Sequence, residues 1–217
     1  MIKIAIADDH ALVRKSLSLL LSTTQDIRVV AEASNGLELL KVLKNTAVDI
    51  VLLDIQMPEM DGFETAKQLN KLFPKLKILV LTMLYDSDTI NKVIEYVDGF
   101  YTKNTNPEEL ENAILKLEKS GFYFEQSLAE TISKLEETSS FIKEIEKIEL
   151  SSREKEIIIL TAKELSNKEI ADQLFISKRT VERHKENLRA NLDTRNFTSV
   201  IMHALKYKLI SLADIFE

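Results

Sequence analysis

Val51-Leu52-Leu53-Asp54-Ile55-Gln56-Met57-Pro58-Glu59-Met60-Asp61-Gly62 carries three signals in succession. Ile50 to Leu53 is an uninterrupted apolar run, as expected of a parallel strand covered on both faces. A carboxylate, Asp54, closes that run. Pro58 and Asp61-Gly62 then turn the chain before a pattern of helical period begins. In an open α/β sheet, ligands and chemistry gather at the carboxyl ends of strands. Asp54 therefore stands where a reactive carboxylate is useful, and equally where a carboxylate solvates a strand end or caps the next helix.

The flanking sequence repeats the pattern. Ile2 to Ala7 reads as a buried strand ending in Asp8-Asp9, and Leu12, Val13, Leu17, Leu20 and Leu21 mark a helix. Arg28 to Ala33 is a second strand, followed by an Asn35-Gly36 turn and a helix through Leu43. The Asp54 strand is third, and Phe63, Ala66, Leu69 and Leu72 form the next helical face. Lys77 to Leu81 is a fourth strand ended by Thr82; Ile90, Val93, Ile94 and Val97 predict a helix. Gly99 to Thr102 is a fifth strand leading to Lys103, and Pro107 opens a last helix. Five strands alternating with five helices predict an α/β fold, a five-stranded, doubly wound parallel sheet.

Composition sets the bounds. The 217 residues suit one large or two small domains, and 45% hydrophobic with 29% charged residues is ordinary for a soluble globular chain. No cysteine is present, so disulfides and thiolate metal sites are excluded. No apolar run approaches the ~20 residues of a membrane helix. The chain opens on a strand-like segment rather than a leader, which predicts a cytoplasmic protein without a membrane partner. All four glycines and all three prolines lie at or before Gly121. The net charge of −6 is also uneven: from Glu149 onward twelve Lys/Arg face eleven Asp/Glu, and the remainder is strongly acidic. These shifts predict an acidic α/β domain over 1–121, a partly helical linker over 122–148, and an all-α domain over 149–217.

Asp8, Asp9, Asp54, Thr82 and Lys103 follow four different strands on one edge of the expected sheet. Clustered carboxylates repel one another, and a bound cation removes the repulsion. An all-oxygen site with few carboxylates suits Mg²⁺. A metal beside a carboxylate nucleophile, a hydroxyl and an ammonium has the parts needed for phosphoryl transfer to Asp54.

These residues, with the Asp54-x-x-Met-Pro-x-Met-Asp-Gly run, resemble the receiver domain of bacterial two-component response regulators over roughly residues 2 to 120. The resemblance implies a flavodoxin-like fold and phosphorylation of Asp54 by a sensor histidine kinase. It also implies Mg²⁺ on Asp9, Asp54 and the Gln56 carbonyl, with Asp8 acting through water. Thr82 and Lys103 would contact the phosphoryl oxygens, and Phe100 holds the place of the family's aromatic switch residue. His10 is assigned no role. Tyr96-Val97 departs from the family, which usually has small residues there, and so makes the surface before the fifth strand bulkier.

Helix-start signals crowd the last third. Ser151-x-x-Glu154 and Ser166-x-x-Glu169 read as capping boxes, and Ser177 as a third cap after a short turn. A short helix, a turn and a second helix form a helix-turn-helix. The second helix carries Lys178, Arg179, Arg183, Lys185 and Arg189 with Thr180, His184 and Asn187, groups that suit phosphates and base edges. Glu182 and Glu186 interrupt the run, as a merely solvated charged helix would also show. The sequence from Leu150 to Leu188 closely resembles the LuxR-type helix-turn-helix. That resemblance implies double-stranded DNA as partner, with Thr180, Val181, Arg183, His184 and Lys185 as close contacts and Lys168, Lys178, Arg179, Asn187 and Arg189 toward the backbone. Val200 to Leu212 would be the fourth helix, which in relatives makes the dimer contact on DNA. Glu164 replaces the family's usual interhelix glycine, which would cost on the order of 1 kcal/mol in a left-handed conformation.

Receiver plus LuxR-type domain is the architecture of the NarL/FixJ group. The reading is a phosphorylation-activated transcription regulator, not an enzyme, forming a homodimer when phosphorylated or DNA-bound. A Mg²⁺-dependent phosphatase is the first rival; Gln56 stands where such an enzyme needs a second Asp. A constitutive DNA-binding protein, with the receiver only a docking module, is the second.

Overall fold

The structure is a computed structural model that describes residues 1–82, 92–102, 107–125, 128–129, 150–194 and 196–216. Five strands, β1 (Ile2–Ala7), β2 (Ile27–Ala33), β3 (Ile50–Asp54), β4 (Lys77–Thr82) and β5 (Gly99–Thr102), form one parallel sheet in the order β2-β1-β3-β4-β5. Among the described residues, four helices flank it: α1 (Ala11–Ser22), α2 (Gly36–Leu43), α3 (Gly62–Leu72) and α4 (Pro107–Ser120). Alternate residues of each strand enter opposite cores. Ala5, Ala7, Val51, Leu53, Ile78 and Val80 pack with Leu39, Ala66 and Leu69 of α2 and α3. Ile4, Ile6, Ile50, Leu52, Leu79 and Leu81 pack with Leu21 of α1 and Leu110, Ile114 and Leu117 of α4. Each buried Val, Leu or Ile among these contributes about 1.5–3 kcal/mol by leaving water.

The sequence predicts a helix from Ile90 through Val97. Ile90 lies outside the described residues; Ile94–Tyr96 is a single 3-10 turn and Val97 is extended (φ −125°, ψ 151°). Most of the expected linker also lies outside the described residues, although Leu128 and Ala129 are helical and fully buried.

The last third is helical: α5 (Ser152–Ala162), α6 (Asn167–Gln173), α7 (Lys178–Asn191), α8 (Phe197–Lys206) and α9 (Leu212–Phe216). Ser151 and Ser166 form complete capping boxes with Glu154 and Glu169, and Ser177 accepts from the Thr180 amide. The fourth helix of this segment starts earlier than its apolar run suggested, because Asn196 caps it, and ends at Lys206 rather than Leu212.

The two halves touch. Asn196 and Thr198 donate to the carbonyls of Val97 and Asp98, at 2.9 and 3.0 Å, and Ser199 donates to that of Ile94 at 3.1 Å. Lys116 and Lys119 of α4 pair with Glu164 and Glu169 across the junction, both at 2.7 Å. One apolar core runs from Val93, Val97, Phe122 and Phe124 into Val200, Ile201 and Leu205 of α8.

Candidate phosphoacceptor site and nucleic-acid interface

The strand order reverses between β1 and β3, the switch point at whose carboxyl edge open α/β sheets bind their ligands. Parallel register brings the polar residues to this edge. Ala7 pairs with Leu53 and Asp54 with Leu81, so Asp8, Asp54 and Thr82 follow one another across adjacent strands. Thr82 pairs with Thr102, the residue before Lys103; Lys103 itself lies outside the described residues.

Asp8 is fully buried and Asp54 nearly so, whereas the Asp9 side chain is a third exposed. Ligand atoms of Asp8, Asp9, His10 and Asp54 all lie within 4.8 Å of one another, a separation that a single cation can span. His10, given no role by the sequence, takes part in this cluster. Its Nδ1 lies 2.6 Å from Asp9 Oδ1, and its backbone N–H donates to Asp8 Oδ1 at 2.8 Å. Adjacency to an acid pair was the available signal. Arg14, one helical turn on, was also missed; its guanidinium donates to the Asp8 carbonyl at 2.6 Å.

The turn after Asp54 is held by close backbone approach. A Cβ on Gly62 would fall 2.3 Å from the Asp54 carbonyl oxygen, and the Gly62 N–H donates to Ile55 at 2.8 Å. Only glycine fits there. The residue after Pro58, Glu59, has φ +64°, and its carboxylate accepts from Asn35 at 3.0 Å, tying this turn to the one before α2. The Gln56 carbonyl belongs to the same turn, between Asp54 and Pro58. Phe100 is buried in the core against Val80's strand. Tyr96, in the departure from family pattern, packs edge-on against Phe63 with ring centroids 5.7 Å apart. The bulkier surface is thus the one on which α8 docks.

On α7, Lys178, Arg179, Arg183 and Asn187 are exposed, as is Lys168 on α6; Thr180, His184 and Arg189 are half-buried. Two of the residues expected at DNA are buried in this arrangement. Val181 is fully buried with Ile157 and Ile170, because its position on α7 faces the two preceding helices. Lys185 is also buried, its ammonium 4.9 Å from the Phe197 ring centroid. Desolvation, helped by the Arg189 charge, lowers its pKa to about 8. Glu182, Lys185, Glu186 and Arg189 line a cleft of about 290 Å³ whose opposite wall is Asn70, Pro74 and Lys75 of the first half. That side of α7 faces the sheet domain rather than open solvent.

Fold and site together define a receiver domain joined to a helix-turn-helix regulator. Residues 4–115 match the response regulator receiver domain, and residues 149–204 match the luxR family of bacterial regulatory proteins. The chain belongs to the NarL/FixJ family of two-component response regulators, transcription regulators rather than enzymes. It is 38% identical over 211 residues to YhcZ, a transcriptional regulatory protein of Bacillus subtilis, covering 95% of this chain and 97% of that protein. It is 36% identical over 215 residues to the oxygen regulatory protein NreC of Staphylococcus aureus, covering 96% and 99%. RcsB of Salmonella enterica serovar Typhimurium, solved bound to the promoter rprA with the phosphomimetic BeF3⁻, is 25% identical with a TM-score of 0.55, covering 94% and 98%. Among the described residues, no helix is long and apolar enough to cross a membrane.

Proposed function

We propose that this chain is a cytoplasmic transcription regulator switched by phosphorylation of Asp54, with a sensor histidine kinase as donor. The observation that carries the reading is the convergence of Asp8, Asp9 and Asp54 at the switch point of the sheet, in a chain that also holds a basic helix-turn-helix. An Asp54 carboxylate oxygen attacks the phosphorus of the kinase phosphohistidine; the O–P bond forms, the P–N bond breaks, and the imidazole leaves. The oxygen-rich donor set fits Mg²⁺, which Asp9, Asp54 and the Gln56 carbonyl would hold, with Asp8 through water. Bound there, it would supply positive charge opposite the phosphoryl oxygens. Thr82 and Lys103 take the remaining oxygens, and Phe100 moves inward with Thr82.

The docked arrangement is the resting form in this reading. The carbonyls that hold α8 belong to residues 94–98, directly before β5 and Phe100. Movement of β5 therefore loosens α8 and frees α7 for DNA, shifting a pre-existing equilibrium. Freed α8 faces pair two copies, and a dimer reads half-sites about ten base pairs apart or a multiple. The test is DNA binding by the whole chain with and without a small-molecule phosphodonor and Mg²⁺, beside Asp54→Asn. Tighter binding only in the phosphorylated wild type supports the assignment; phosphoryl label retained by Asp54→Asn sinks it.

A further inference from the structure

The turn between α6 and α7 holds an unusual residue. Phe175 is 95% exposed, the most exposed large apolar side chain among the described residues, and its φ is +55°. Its N–H donates to the Asp172 carbonyl, and that of Ile176 to the Ala171 carbonyl, the paired bonds that end a helix with a left-handed residue. Glycine or asparagine is at ease there and a bulky aromatic is not. The other helix ends of this kind in the domain carry polar side chains, Glu164, Asp193 and Lys208. At 95% exposure its ring buries almost nothing within the fold, so no packing gain offsets the strained backbone.

We propose that Phe175 is an apolar DNA contact, its ring packing on a thymine methyl or deoxyribose beside the bases read by α7. The inference rests on the DNA-binding reading above. Phe175 stands two residues before Ser177, the N-cap of α7, and the amino-terminal residues of a recognition helix are those that enter the groove. Its surroundings favour a polyanion: Lys168, Lys178 and Arg179 are exposed, and the helix amino terminus adds positive partial charge. Asp172 is the exposed carboxylate nearby, and Glu182 is turned toward Lys178 at 3.6 Å. Phenylalanine is among the side chains that read thymine through its methyl group.

The experiment uses the full chain with phosphodonor and Mg²⁺, and a duplex selected by the wild type from a random pool. Phe175→Asn is expected to weaken binding about fivefold or more, the order for uncovering one face of a phenyl ring. Its thermal midpoint should hold or rise by about 2 °C, because asparagine tolerates the backbone. The salt dependence of binding should not change, whereas Arg179→Gln should flatten the slope by about one. Uracil in place of thymine weakens the wild type alone if the methyl is the contact, and leaves both proteins unaffected if the sugar is. Wild-type affinity in Phe175→Asn overturns the proposal, as does a loss accompanied by a lower midpoint or a flatter salt slope. A wild type that binds no duplex instead overturns the DNA-binding reading beneath it.

Discussion

Asp98 is the residue through which the two halves and the acidity of the medium meet. Its carboxylate accepts from the Ile78 N–H at 2.9 Å, while its carbonyl accepts from Thr198 at 3.0 Å and from the Tyr123 N–H. Burial, partly opposed by the Ile78 bond and the Lys77 charge, raises its pKa from 3.8 to about 7. A raised acid favours the folded state while neutral, so its stabilising share is full below pH ~4 and lost as pH climbs to about 7. Thermal midpoints should fall across that window in the wild type, and the part due to this group should vanish in Asp98→Asn, whose amide oxygen still accepts from Ile78. Val181 makes the second residue-scale prediction. Because it is fully buried, Val181→Ala should cost about 1–3 kcal/mol of stability, read as a lower urea midpoint. Its burial was not legible in the sequence, since a valine between Thr180 and Glu182 fits a groove-facing apolar contact as well as a core position.

At the scale of elements, the C-terminal helices are started and stopped by different means. The starts were legible: Ser151, Ser166 and Ser177 accept the amides that the capping patterns predicted. The stops were not, because no glycine occurs after Gly121. The structure ends α5, α6, α7 and α8 with left-handed residues Glu164, Phe175, Asp193 and Lys208, each followed by an N–H that reaches back five residues, as from Leu165 to the Leu160 carbonyl. Only the strain at Glu164 was foreseen, from its place in the family pattern. Each such position costs on the order of 1 kcal/mol. Lys208→Gly should therefore raise the thermal midpoint by about 2–4 °C, unless its exposed side chain contributes more than the backbone relief. An unchanged or lower midpoint would show the latter.

For the whole molecule, docking of α8 and α4 against their partners decides how much of α7 meets solvent. The ion pairs Lys116–Glu164 and Lys119–Glu169 are partly exposed, so each contributes little and weakens with salt. Glu169 also closes a capping box, which makes the lysines the cleaner positions to change. Lys116→Met with Lys119→Met should raise DNA affinity of the unphosphorylated chain by about two- to fivefold, measured at low salt, with little effect once phosphorylated. Equal affinities would show that the apolar core and the α8 hydrogen bonds hold the arrangement alone.

The sequence by itself determined the sheet, its order of acidic and polar strand ends, and the helix-turn-helix, because these follow from local periodicity and from residues fixed at short spacing. It determined the family for the same reason. The tertiary structure decided what faces what: that His10 joins the acid cluster, that Val181 and Lys185 turn inward, and that residues 94–98 grip α8. Such contacts join residues as many as 105 positions apart, and no local pattern of hydrophobicity or charge records which distant surface will cover them.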